Sequence, residues 1–145
     1  MSPSKRFKPV QRVAQSREQT AARALGKSQR EVREQESRLG ELKGYHREYL
    51  ERFQGASAAG ISVAQLQEYR TFLGKLERAI REQEQRLQVS RQACSGCRDS
   101  WHDQHQRTQA LGKVMERYQA TERRQQDSRE QKEQDDRSQR QRPKT

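Results

Sequence analysis

An all-α fold is expected for this chain of 145 residues: an elongated antiparallel two-helix coiled-coil hairpin. Three observations lead there. The first is a stripe read by alternating steps of three and four: Leu66, Tyr69, Leu73, Leu76, Ile80, Gln83, Leu87, Ser90, Cys94, Cys97, Trp101, Gln104, Thr108, Leu111, Met115, Tyr118 and Glu122. Most of these are apolar, and the residues between them are overwhelmingly Arg, Glu, Gln and Lys. A period of 3.5 sustained over about eight heptads marks a long helix burying a narrow seam against another helix. The second is a weaker upstream heptad: Ala14, Glu18, Ala21, Leu25, Ser28, Val32, Gln35, Leu39, Leu42, His46, Tyr49 and Phe53. The third is the single convincing break between them, Gln54-Gly-Ala-Ser-Ala-Ala-Gly-Ile61. At about 1.5 Å of rise per residue the downstream helix alone spans roughly 90 Å, so the expected molecule is a rod.

In chain order, residues 1–8 read as a flexible basic N-terminus. Pro9 suits a first helical turn, where its missing N–H has no partner to lose, and the first helix is expected over about 9–54. Its N-terminal half is poor in large apolar groups, and Val10 and Val13 fall off the register. Gly26, Gly40 and Gly44 each cost about 1 kcal/mol relative to Ala, but all three avoid the seam. Residues 55–61 form the tip. Ser62 followed by Gln65 makes a capping box for the second helix, about 62–124. So short a connection makes the helices antiparallel neighbours. With the tip near residue 58, facing residues have numbers totalling roughly 116. The first helix then runs out opposite residue 107 or so. Leu111, Met115 and Tyr118 are left without an intramolecular partner, so that end either frays or, the reading adopted, docks on another molecule. Residues 125–145 are almost purely Gln, Arg, Glu, Asp and Ser and read as a frayed or disordered tail.

Composition taken alone points elsewhere. With 28% hydrophobic residues and a formal net charge of +11, the chain falls towards the disordered class. Periodicity overrides that, because a coiled coil needs only two apolar positions in seven. The N-terminus lacks the apolar core of a secretory signal, and no run approaches the roughly 18 apolar residues that span a bilayer. Two cysteines give no disulfide framework. A cytoplasmic protein is the expectation. Residues 1–30 carry Lys5, Arg6, Lys8, Arg12, Arg17, Arg23, Lys27 and Arg30 against Glu18 alone. Such a run raises nucleic acid as a partner, but no aromatics are interleaved for base stacking. A solvated surface, or one facing an acidic protein, fits better.

Chemistry-bearing constellations are few. Cys94, Cys97, His102 and His105 superficially resemble a zinc site, yet on one straight helix Cys94 and His105 lie about 16 Å apart, too far for a single ion with bonds of about 2–2.3 Å. The cysteines read as small seam residues, and His46 as a hydrogen-bonded seam histidine. No P-loop, nucleophile elbow or Gly-rich phosphate loop occurs, and a two-helix rod offers no concave pocket. Neither an enzyme, a cofactor nor a metal is expected. Apolar excess beside the seam is more informative. Tyr45 takes a g position between the d residues Leu42 and Tyr49, while Phe72 and Ala79 take g positions flanking the d residue Leu76. In an antiparallel pair g edges face each other, and charges are usual there. The expected result is one patch at one height: Leu42, Tyr45, Tyr49, Phe72, Leu76 and Ala79. An exposed aromatic cluster marks a binding surface.

Several segments resemble the flagellar FliJ protein family. They are Ala21-Ala-Arg23 with Leu25-Gly26; Leu39-x2-Leu42-x2-Tyr45-x2-Glu48-Tyr49; Gly60-Ile61; Tyr69-x2-Phe72-x3-Leu76-Glu77-x-Ala79-Ile80; Trp101; and Arg107-x3-Leu111 leading to Glu116-Arg117. The similarity covers most of residues 15–118, and it lies in the ordered set and its spacing. It implies a soluble component of the flagellar type III export apparatus, an antiparallel coiled coil similar to the stalk subunit of rotary ATPases. Implied partners are the export ATPase FliI as a hexamer and the export-gate protein FlhA, with the ATPase regulator and export chaperones as further ones and a general chaperone role beside them. Placement is then cytoplasmic, peripheral at the inner-membrane face through partners only. The family's gate-binding surface falls on Leu42, Tyr45, Tyr49, Phe72, Leu76 and Ala79. Arg38 and Gln83 stand at two further positions of it, where the family commonly carries other residues. The expected division of labour puts the ATPase ring at the end holding Lys5, Arg6, Lys8, Arg12, Arg17, Arg23, Lys27, Leu111, Met115 and Tyr118. The alternatives are a basic coiled coil that binds nucleic acid and a parallel homodimeric scaffold.

Overall fold

A computed structural model gives the fold and describes residues 1–141. The chain is an all-α antiparallel hairpin of two helices, α1 (Pro3–Ala59) and α2 (Val63–Gln141), joined by residues 60–62. No strand occurs among the described residues.

The helix bounds differ from the sequence expectation, each for a local reason. The Lys5 N–H donates to Ser2 Oγ at 3.4 Å, and the Arg6 N–H to the Ser2 carbonyl at 3.1 Å. Ser2 is therefore the N-cap, and Pro3 occupies the first helical position, where its missing N–H costs nothing. The segment expected to be flexible, 1–8, is helical from Pro3 onward, and Pro9 lies inside α1. Only the Lys5 carbonyl loses a helical partner to Pro9, and Lys5 is exposed to water. At the other end α1 runs on through Gly55-Ala-Ser-Ala-Ala59, because alanine is the best helix former and a lone glycine is tolerated. Gly60, with φ of 94°, ends it, its N–H donating to the Ser57 carbonyl at 3.3 Å. The capping box then starts α2: Gln65 N–H donates to Ser62 Oγ and Ser62 N–H to Gln65 Oε1, both at 3.2 Å. Space around Gly60 is open, yet an L side chain disfavours this backbone by about 1–2 kcal/mol. Gly60→Ala should lower stability by that amount in urea denaturation.

Helix α2 continues to Gln141 instead of ending near residue 124. Every described residue past Glu122 is exposed, so intrinsic propensity of Gln, Arg, Glu and Lys alone carries this part. Residues 142–145 of the expected disordered tail lie outside the described residues.

The chain divides into two compact units. The tip unit is Ala22–Ser100. Its core holds Leu73, Leu76, Leu87 and Cys94, with Gln83 as a buried polar member. Leu25, Val32, Leu39, Leu42, Tyr49 and Phe53 of α1 cover them, half-buried. Phe53 meets Tyr69 with ring centroids 5.5 Å apart, a pair whose numbers total 122. The expected total of 116 is thus off by six, because the connection is residues 60–62.

The terminal unit joins Met1–Ala21 to the stretch from Trp101. Ser4, Ala14 and Met115 are buried there. The Ala14 carbonyl accepts from Thr108 Oγ1 and Gln104 Nε2, each at 3.3 Å. Phe7 and Tyr118 meet edge to face at 5.7 Å. The stripe expected to overhang therefore has a partner: Ser4, Phe7 and Ala14 prolong the seam of α1 along it. Among the described residues no side chain is fully enclosed, as a seam between only two helices dictates.

Candidate partner-binding surfaces

In the tip unit, Phe72 is 42% exposed and leans on the half-buried Tyr49, ring centroids 4.2 Å apart and planes at 43°. Tyr49 also meets Tyr69 at 5.3 Å. Tyr45 is 57% exposed. Leu42 and Ala79 are half-buried, and Leu76 is buried beneath. The structure thus brings Tyr49 and Phe72 into contact, but the expected equal height of Tyr45 and Phe72 does not hold. With facing residues totalling about 122, Phe72 stands opposite Tyr49, while Tyr45 stands level with Leu76 and Ala79. A shallow groove beside Phe72, lined by Ala64, Gln67, Glu68, Thr71 and Lys75, was not anticipated.

Two further positions behave differently from each other. Arg38 is exposed. Gln83 is buried, and its Nε2 donates to the Gln35 carbonyl at 3.1 Å and to Gln35 Oε1 at 2.5 Å. Its side chain is spent inside the seam, where a polar pair fixes register. Nearby, His46 Nε2 lies 3.5 Å from Glu77 Oε1 and Arg91 lies 3.3 Å from Glu36. Both pairs are partly exposed and contribute little to stability.

In the terminal unit, Lys5, Arg6, Lys8, Arg12 and Arg17 are exposed. Leu111 is half-buried, Tyr118 leans on Phe7, and Met115 is only 4% exposed. Arg23 and Lys27 are exposed but belong to the tip unit. Glu18 hydrogen-bonds His105, whose ring stacks on Trp101 at 4.9 Å. His102 pairs with Gln106. Cys94 is buried and Cys97 half-buried, both as free thiols. Among the described residues no three His, Cys, Asp or Glu converge on a point that could hold a metal, and none of their helices is long and apolar enough to cross a membrane.

The start of α1 is held by α2. Glu122 Oε1 accepts the Ser4 N–H at 3.0 Å, and Oε2 accepts the Ser4 hydroxyl at 2.7 Å. A carboxylate there satisfies an orphan N–H and suits the positive end of the helix. The Ser4 backbone N–H, followed by its hydroxyl, holds the Glu122 carboxyl below the usual carboxylate range. A depressed folded-state pKa contributes stability that is complete above the unfolded value and disappears as pH falls through the folded one. Protection of the amides of residues 4–7, measured against their intrinsic exchange rates, should therefore fall on acidification below the ordinary carboxylate range, and Glu122→Gln should remove that acid dependence.

Compared with known proteins, the chain matches the family model described as Flagellar FliJ protein over residues 3–142. No curated protein and no solved structure gives a significant match. With nearly its whole length covered and the paired helices described above, the chain belongs to the flagellar FliJ protein family and is a component of flagellar export.

Proposed function

We propose that this protein is a non-enzymatic adaptor of flagellar export, in which the terminal unit associates with the ring of the export ATPase FliI and the tip unit with the gate protein FlhA. Such an adaptor works in the cytoplasm, peripheral to the inner membrane through its partners, and has a general chaperone role beside coupling. The observation that carries the reading is the aromatic surface of the tip unit. Tyr45 and Phe72 stand exposed on helix positions where a solvated coiled coil carries charge. For the ATPase-facing surface the support is chemical: exposed Lys5, Arg6, Lys8, Arg12 and Arg17 on α1, with Leu111 and Tyr118 on α2 and Met115 buried between them in sequence. Arg23 and Lys27, exposed on α1 just beyond the unit boundary, extend the same basic run.

Changing Tyr45 and Phe72 together to Ala tests the gate half. Truncating two exposed aromatic anchors should weaken binding to the gate's cytoplasmic domain roughly tenfold or more with helicity retained. Unchanged affinity in isothermal calorimetry would reject the surface assignment.

A further inference from the structure

Beside its seam, the terminal unit carries an edge that works against its own pairing. Val10 is 48% exposed and Val13 51% exposed, three residues apart on one side of α1. On α2, Val114 is half-buried, with Arg107 and Arg117 exposed around it. Pairing in this unit sets Ala14 against Thr108, so on the g edges of the two helices Val10 comes within two residues of the height of Val114, and Arg17 within two of Arg107, an offset of about 3 Å. An antiparallel coiled coil normally sets opposite charges across such an edge. Here one layer is apolar, and the next sets arginine against arginine. Among the described residues none of these arginines has a carboxylate within ion-pair reach, Asp103 one turn from Arg107 included. The other edge is ordinary by comparison: it holds the Glu18–His105 pair and the lysines Lys5 and Lys8. Exposed valines and facing arginines both cost the free hairpin, and a partner can relieve both.

We infer that Val10, Val13 and Val114, flanked by Arg17, Arg107 and Arg117, form a docking surface for an acidic protein patch with an apolar centre. The charge argues for that occupant, because arginines without counter-ions fit carboxylates, bidentate where geometry allows. Residue choice argues the same way, since arginine is enriched in protein interfaces and lysine depleted. This rests on the reading that the terminal unit meets the export ATPase, and it names the edge of contact.

Full-length protein and purified export ATPase test it by fluorescence anisotropy at low and physiological salt. Arg17→Gln with Arg107→Gln is expected to weaken binding roughly tenfold or more without lowering the melting temperature, since two like charges on neighbouring edges are removed. The near-isosteric pair Val10→Thr and Val13→Thr should weaken it in the same direction with less salt dependence. Gln109→Glu with Gln119→Glu, an equal change in net charge on other positions of α2, should leave affinity within about twofold if charge placement and not total charge decides. If the arginine pair and the glutamine pair weaken binding equally, the edge is wrong while the ATPase reading stands. Absence of binding by the unaltered protein overturns both. If short duplex DNA binds with the same arginine dependence and the ATPase does not, the occupant is a nucleic acid and the inference fails.

Discussion

Truncating Met115 to alanine is expected to destabilise the terminal unit by about 2–3 kcal/mol. Met115 is 4% exposed and among the most enclosed apolar residues of the chain. Deleting its thioether loses transfer energy and leaves a void that two helices cannot fully close. Pairing of Phe7 with Tyr118 and of Ser4 with Glu122 places the start of α1 directly over this part of α2. Were the stripe an overhang, as a facing total of 116 requires, the same substitution would be nearly neutral. Hydrogen exchange at residues 4–14 reads the difference. Faster exchange there, with the tip unit protected as before, is the expected result.

The second large effect concerns Gln83. Its amide is buried and donates twice to Gln35. Gln83→Ala removes both bonds and most of the side-chain volume, a loss of about 2–3 kcal/mol. Replacing Gln35 and Gln83 together with leucine is expected to restore or exceed the original stability, since apolar pairs often do as well as buried polar ones. What the double variant should lose is a unique register: a lone polar layer in a coiled-coil seam penalises every misaligned or oligomeric pairing. Analytical ultracentrifugation should show mixed species for the double variant and one species for the parent. A single well-defined species would mean that alignment is set elsewhere, by the short connection at Gly60.

The seam was legible because its signal is periodic and long. Leu73, Leu76, Leu87 and Cys94 are all buried on α2, and Leu25 through Phe53 cover them from α1. Alignment was harder to read, since it depends on a few residues at the tip. Gly55-Ala-Ser-Ala-Ala59 looks like a break by composition, but alanine sustains a helix, and only the positive φ of Gly60 ends it. That shift of the turn moves Tyr45 away from Phe72 and sets part of α1 against the stripe of Leu111, Met115 and Tyr118. Two prolines, Pro3 and Pro9, compete in the sequence for the first helical position. Pro3 takes it, since Ser2 caps and Glu122 reaches across, and a contact between residues so distant in sequence leaves no local trace. Val10 and Val13 were visible as misfits to the heptad. Their meaning emerges only when Val114 and Arg107 are set beside them.

The pairing itself is most directly tested by pulsed electron spin distance measurement between labels at Glu36 and Arg91, whose side chains lie 3.3 Å apart, with Cys94 and Cys97 replaced by serine. Antiparallel folding of the chain on itself predicts a single short distance, on the order of 20 Å after allowing for labels and a helix diameter of 10–12 Å. With doubly labelled chains diluted into unlabelled protein, two copies lying parallel, each with uninterrupted helices, would put these positions roughly 80 Å apart along one chain, and a distribution without the short distance would contradict the hairpin.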